Sequence, residues 1–297
     1  MNTSYDIEDK EKIKVWIDSS IKAADKLLMR IGKISDGMFK SGNLNIFFSL
    51  LSRFSYLDYQ NILLLGSQYP HAVDIASPSV WKSKAYKGET FIKEEFQGKG
   101  INLLVPFTMV KEEKLVWFVV KMYDISQTTV IDRTYTKSPY MVNKKEHIDN
   151  LLKSIRIFTS NEFEISYMVL NTEEHKRMGI NCLAKNKVIY ISPKADELEQ
   201  LSYIIEYIVK TNTDDIYEQE LLNYLASSVR DCLFDIWNLS RRPSGAPPYE
   251  TIIAVPTQIQ KLFLEKAQYW VRSFEDCILH EYMERAKNED IVYGDIL

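Results

Sequence analysis

The sequence predicts an α+β fold in two packed domains, and three features indicate it. Apolar residues recur at three- and four-residue spacing over long stretches, which is typical of amphipathic helices. Two short segments rich in Val, Ile, Phe and Trp flank a charged turn, as in a β-hairpin. The length of 297 residues exceeds that of one ordinary domain. We therefore expect a first domain over residues 1–137, with helices and a hairpin or small sheet. A mostly helical second domain is expected over residues 138–297.

The first half begins with two predicted helices. Residues 5–34 carry one apolar stripe, and a second stripe runs over Leu44–Gly66. Pro70 disfavours helical backbone at the residue before it, so the second helix must end there. A helix start is predicted at Ser77–Ser79, leading into Trp81.

A β-hairpin follows. Ile101–Met109 and Leu115–Tyr123 are its two strands, and the charged segment Lys111–Lys114 is its turn. The polar stretch Thr134–Lys145 contains Pro139, and we place the domain boundary within it.

The second half is mostly helical in its pattern, with two short strands. Arg241–Pro248 is the clearest flexible loop of the chain. The predicted helices are His147–Phe158, Asp196–Thr211, Ile216–Asn238 and Thr257–Lys287, and the predicted strands are Phe163–Leu170 and Lys187–Ser192.

Composition and charge exclude several classes of protein. Hydrophobic residues at 45% and charged residues at 26% exclude a largely disordered chain. The first half has a slight excess of Lys and Arg and the second half an excess of Asp and Glu, which permits a polyanionic partner without requiring one. The three cysteines lie far apart and form no CxxC pair, so neither a disulfide framework nor a zinc ribbon is expected. We expect a cytoplasmic protein with no membrane partner, because the first residues are polar and no apolar run is long enough to span a bilayer.

Most motifs of catalysis are missing. The sequence has no GxxxxGK[ST], GxGxxG or GxSxG motif. Cys232 and Cys277 fall on apolar helix faces, where a cysteine is usually a small buried hydrophobe. His280-Glu281 resembles the start of a zinc helix, but Glu284 stands where the second histidine is needed and no third ligand can be named.

Cationic and aromatic residues are interleaved in the first half. Lysines that track phosphates and aromatic rings that stack on unpaired bases are the features of single-strand binding. The alternative is that Trp81 and Trp117 are core residues and the lysines are merely solvated. The full set is Arg53, Trp81, Lys82, Lys84, Tyr86, Lys87, Lys93, Lys99, Trp117, Lys121 and Tyr123.

Several segments of the first half resemble the antirestriction protein ArdC family. The match covers about residues 10–135, and Lys121–Thr128, which resembles the family's strand end, is its most specific part. The resemblance implies binding of single-stranded DNA without strict sequence preference, as in proteins that protect the strand transferred in conjugation. The other matching segments are Phe48–Ser55, Tyr59–Asn61, Gln68–Pro70, Trp81, Gly98–Ile101 and Pro106.

The resemblance also implies roles for individual residues. Cationic side chains are expected to contact phosphates, namely Arg53, Lys82, Lys84, Lys87 and Lys99. Aromatic side chains are expected to stack on bases, namely Trp81, Tyr86 or Tyr123. Asn61 and Gln127 hold either bases or the local fold, and the sequence leaves both roles open.

The second half resembles the family's metallopeptidase-like, zincin-type domain in its layout. The position of the HExxH motif reads Ile205-Glu206-Tyr207-Ile208-Val209, so both histidine ligands are absent and only the glutamate remains. Glu218 or Glu220 occupies the position of the third ligand. The resemblance therefore implies a degenerate peptidase domain with no metal, no cofactor and no enzymatic activity.

Three functions are compatible with the sequence. The first is a single-stranded-DNA-binding accessory of a mobile or conjugative element, with an inactive second domain. The second is a protein-binding module that acts through the acidic second half. The third is an active metalloprotease that uses His280 or an unrecognised ligand set.

Overall fold

The computed structural model describes residues 4–83, 92–109, 114–129, 144–159, 164–167, 182–185, 188–191, 195–213, 218–237, 239 and 255–288. Helices and two small sheets make up these residues, which confirms the α+β class. The chain divides into two compact units. The first is Met1–Arg133 with Ile252–Gln260, and the second is Thr134–Thr251 with Lys261–Leu297. The assignment of Ile252–Gln260 to the first unit has no local signal in the sequence. The predicted loop Arg241–Pro248 lies outside the described residues.

Helix α1 of the first unit runs over Ser4–Ser41 and is longer than the sequence pattern predicts. Gly32 and Gly37 do not end it, because a glycine inside a helix costs only about 1 kcal/mol and burial on the adjacent face offsets that cost. Met38 and Phe39 are buried at 7% and 1% exposure and extend the apolar stripe beyond the glycines.

The single helix predicted over Leu44–Gly66 is wrong, because the chain breaks into α2 (Leu44–Leu51) and α3 (Tyr59–Gln68). Asp58 causes the restart, since its side chain accepts a hydrogen bond from the backbone N–H of Asn61 at 2.8 Å and so caps α3. Both helices bury their leucines, and α3 also buries Ile62, so the apolar pattern continues across the break. Helix α4 (Pro78–Ser83) confirms the predicted start near Ser77.

The sheet of the first unit contains the predicted hairpin. Strands β2 (Ile101–Met109) and β3 (Lys114–Asp124) pair antiparallel, from Ile101 opposite Met122 to Met109 opposite Lys114. A two-residue strand, β1 (Ile75–Ala76), pairs antiparallel with β3 on its other side, so the order is β1-β3-β2. The sequence did not predict β1, because two residues carry no periodicity.

Two amide side chains of α3 cover the outer edge of β2, and we call Asn61 and Gln68 the amide clamp. Asn61 donates through Nδ2 to the carbonyl of Leu104 and accepts at Oδ1 from its N–H, both at 2.7 Å. Gln68 makes the same pair of bonds with Asn102, both at 3.0 Å. The next outward-facing residue along β2 is Pro106, which has no N–H to satisfy. The clamp therefore occupies the edge that another strand would otherwise pair with.

The second unit surrounds a small mixed sheet. Strand β6 (Val188–Ile191) lies in the middle, parallel to β4 (Glu164–Tyr167) and antiparallel to β5 (Cys182–Lys185), and β5 is the strand of this unit that the sequence did not predict. Among the described residues, no helix combines the length and apolar character needed to cross a membrane. The elements are α5 (Lys144–Thr159), β4 (Glu164–Tyr167), β5 (Cys182–Lys185), β6 (Val188–Ile191), α6 (Glu197–Thr211), α7 (Gln219–Ile236) and α8 (Thr257–Asn288).

Candidate nucleic-acid interface

The segment Lys121–Thr128 forms the end of β3 and a single 3-10 turn, Ile125–Gln127. Asp124 caps this turn, because its side chain accepts from the N–H of Ser126 at 3.0 Å. Gln127 returns the contact, since its Oε1 accepts from the N–H of Asp124 at 2.8 Å. With 3% of its surface exposed, Gln127 holds the local fold in this structure. Asn61 also holds the local fold, through its two hydrogen bonds to Leu104 in the amide clamp.

Asp124 is the centre of this turn, and only 1% of it is exposed. Its Oδ1 accepts from the N–H and the hydroxyl of Ser126, the latter at 2.6 Å. Its Oδ2 accepts from the N–H groups of Val73 and Asp74 at 2.7 and 3.2 Å. One carboxylate therefore ties the chain before β1 to the end of β3 through four hydrogen bonds.

Trp81 and Tyr123 lie in the core of the first unit. Trp81 is 2% exposed and donates from Nε1 to the carbonyl of Tyr123 at 2.8 Å. Tyr123 is 5% exposed, and Ile92 and Ile125 pack against the same cluster. Their rings support the end of β3 from within, so neither ring faces solvent in this structure.

A glycine turn, Gly98-Lys99-Gly100, is bonded to a lysine of β3. Gly98 has φ of 71°, a left-handed conformation that glycine adopts without strain. Lys121 donates from Nζ to the carbonyl of Gly98 at 2.7 Å, across 23 positions of sequence. Lys99 and Lys121 are both exposed. The turn and the end of β3 therefore each carry one exposed cation, and the two segments are bonded to each other.

Gly100 is required for this turn to lie against β3. A Cβ atom at Gly100 would lie 2.8 Å from the carbonyl oxygen of Met122 and 2.9 Å from Cζ of Tyr123. We expect Gly100→Ala to lower the free energy of unfolding by about 1–3 kcal/mol, because backbone must shift to admit the methyl group. Urea denaturation measures the loss. Gly32→Ala in α1 is the control, since nothing lies within 4 Å there, and it should stabilise by up to about 1 kcal/mol. Equal effects at both positions would contradict the close approach.

The other residues predicted to contact DNA are Arg53, Lys82, Lys84, Tyr86 and Lys87. Arg53 is exposed, but its guanidinium donates to the carbonyl of Ala72 at 2.7 Å and to the hydroxyl of Ser49 at 2.9 Å. A guanidinium has further N–H donors, so these bonds orient the group and leave it able to bind a phosphate. Lys82 is exposed near the end of α4. Lys84, Tyr86 and Lys87 lie outside the described residues.

The sequence analysis missed an exposed aromatic pair on the hairpin. The rings of Phe107 and Phe118 lie 5.6 Å apart at 75°, and Phe107 is 54% exposed. Val105 on the same face is 40% exposed. The signal for it in the sequence was the continuous apolar run Leu103–Phe107. A strand that is apolar on both faces exposes one of them unless other elements pack against both faces.

In the second unit, the residues that the sequence analysis aligned with HExxH are part of the core or of an ion-pair network. Ile205 and Val209, at the two positions expected to correspond to histidines, are both 0% exposed. Glu206 binds the guanidinium of Arg230 through Oε1 and the ammonium of Lys210 through Oε2, the latter at 3.2 Å. Arg230 also donates from Nε and Nη2 to Asp231, at 2.9 and 2.7 Å.

These residues do not fit a divalent metal ion. Aliphatic side chains supply no ligand atoms, and both oxygens of Glu206 already contact cations. Glu218 and Glu220 are exposed at the start of α7. Within the part of the chain that the structure describes, no group of three His, Cys, Asp or Glu side chains is arranged to hold a metal.

No protein-family model matches the chain, and a search of curated proteins finds no match. A search of solved structures finds the crystal structure of the antirestriction ArdC protein from the R388 plasmid, in its Mn(II)-bound form. That structure has 9% sequence identity to this chain and a TM-score of 0.48, over 75% of this chain and 83% of that one. A likeness of this size says nothing about which residues form a site.

Proposed function

We propose that the protein binds single-stranded DNA through its first unit, as an antirestriction-type accessory of a mobile or conjugative element. The observation that carries the proposal is the exposed Lys121, whose ammonium group is bonded to the glycine turn that also carries the exposed Lys99. Both lie in segments whose sequence resembles the ArdC family. An ammonium group at a fixed position binds a phosphate with less loss of side-chain entropy than a freely rotating one.

In this proposal the exposed residues contact the DNA and the buried residues support the fold. Lys82, Lys99, Lys121 and Arg53 contact phosphates, and the exposed ring of Phe107 offers a face on which an unpaired base can stack. The buried residues hold these groups in place, namely Asn61, Trp81, Tyr123 and Gln127. Lys84, Tyr86 and Lys87 stay expected contacts from the sequence.

We also propose that the second unit is a catalytically inactive, metallopeptidase-like domain. Without a metal there is no activated water, so the glutamate that remains has no proton to remove. Arg230 and Lys210 compensate the charge of Glu206 and so give it a structural role on α6 and α7.

The test is a fluorescence-polarisation titration of a labelled strand of about 30 nucleotides, long enough for the known range of site sizes, beside its duplex and at several salt concentrations. We expect preferential single-strand binding that weakens with salt. The variant Lys99→Gln with Lys121→Gln should reduce the slope of log K against log salt by about 1.4, because each lost phosphate contact contributes about 0.7. The charge-matched control is Lys153→Gln with Lys261→Gln, two exposed lysines of the second unit.

Two results would count against the proposal. If the wild-type chain binds neither strand nor duplex at low salt, the first unit does not bind DNA. The acidic second half would then be tested as a protein-binding surface. If the Lys99 and Lys121 variant behaves like its control, the strand binds elsewhere on the chain.

A further inference from the structure

Helix α1 carries a row of cations on its outward face. All five of them are exposed, and at 3.6 residues per turn they fall within an arc of about 80°. At 1.5 Å per residue the row is about 27 Å long. We call it the basic stripe, and its members are Lys22, Lys26, Arg30, Lys33 and Lys40.

The basic stripe faces away from the core of the first unit. Ala24, Ile31 and Met38 are buried, and they lie on the opposite side of the helix circumference. The ion pairs on α6, α7 and α8 involve none of these five cations. The charge of the stripe is therefore presented to solvent.

Acidic residues border the stripe on one side only. Asp18, Asp25 and Asp36 lie about 40–60° from Lys22 around the helix. Asp36 accepts a hydrogen bond from the hydroxyl of Thr257 at 3.1 Å, so part of its charge is engaged within the unit. An anion on the stripe would be repelled from this flank and so confined to the line of the cations.

We propose that the basic stripe binds the phosphodiester backbone of the single strand, and this inference rests on the proposed function. The row is straight and all of one sign, which complements a linear polyanion. At the 3.4 Å per nucleotide of a stacked strand, about 27 Å accommodates about eight nucleotides. Val15 lies in the same arc about 10 Å before Lys22, and Met29 lies between the stripe and its acidic flank. They are 68% and 71% exposed, so apolar contacts to sugars and bases are offered beside the stripe.

The test uses the full chain and a single strand of about 30 nucleotides. The variant Lys26→Gln with Lys33→Gln removes the middle of the stripe. It should reduce the salt slope by about 1.4 and weaken binding by about 25-fold at 0.1 M salt. Lys153→Gln with Lys261→Gln removes the same charge from the second unit and should change binding by less than about twofold. Asp18→Asn with Asp25→Asn should strengthen binding, because it removes charge that repels phosphate.

The outcomes separate this inference from the proposed function. If the wild-type chain does not bind the strand, both are wrong. If the wild-type chain binds but the Lys26 and Lys33 variant matches its control, the stripe is not a contact and the proposed function stands. A thermal melt of each variant checks that the fold is unchanged, as expected for exposed helix positions.

Discussion

Asp124→Ala should lower the free energy of unfolding by about 2–4 kcal/mol, because it leaves four hydrogen-bond donors without their acceptor. The carboxylate itself is 1% exposed, but Val73 and Ser126 are exposed residues, so water can satisfy part of the donors that the substitution leaves. Asp124→Asn should be nearly as damaging, since donors converge on both carboxylate oxygens and an amide replaces one of them with a further donor. Equilibrium urea unfolding measures the change.

The matched control for Asp124 is Asp25→Ala, on the exposed face of α1 in the same unit. It should change the free energy of unfolding by less than about 0.5 kcal/mol. A loss below about 1 kcal/mol for Asp124→Ala would show that the carboxylate does not anchor the strand end, because even one unsatisfied buried donor costs that much.

Placing histidines at the two positions that the ArdC resemblance aligns with an HExxH motif should unfold the second unit rather than create a metal site. Ile205→His with Val209→His should cost about 5 kcal/mol, since each change removes a buried aliphatic side chain and buries an imidazole without a partner. Arg230 and Lys210 would still contact Glu206. Urea unfolding and elemental analysis after dialysis against zinc measure the two effects.

Tyr207→His is the control for that double variant, because it adds an imidazole to the same helix at a partly exposed position. It should leave the fold intact. A folded double variant that retains close to one equivalent of zinc would contradict our interpretation of the second unit.

Local pattern predicted the helices and the hairpin, because their periodicity extends over many residues. It missed the break at Asp58, because the apolar spacing continues there although the helix is interrupted. It also missed β1 and β5, which are two and four residues long. Strand β1 forms because β3, a longer strand far along the chain, supplies its hydrogen-bond partners. Strand β5 pairs with its neighbour in sequence, β6, but four residues are too few to show a clear alternation.

The sequence identified residues of the candidate site but did not predict what each side chain binds. Asn61 and Trp81 were identified from the family resemblance, yet their partners lie 43 and 42 positions away along the chain. Sequence alone could not distinguish a side chain that binds backbone from one that binds a base. The proximity of Lys99 and Lys121 likewise depends on the register of β2 and β3.

The amide clamp has a consequence for local opening of the first unit. The N–H groups of Asn102 and Leu104 are bonded to side chains of a helix and not to a neighbouring strand. The bond to Asn61 is buried, so the Leu104 amide exchanges with solvent hydrogen when α3 moves away from β2. The bond to Gln68 is exposed, so the Asn102 amide exchanges when that side chain rotates. The exchange rate at Leu104 therefore reports how firmly a helix is attached, and the rate at Asn102 is its internal reference.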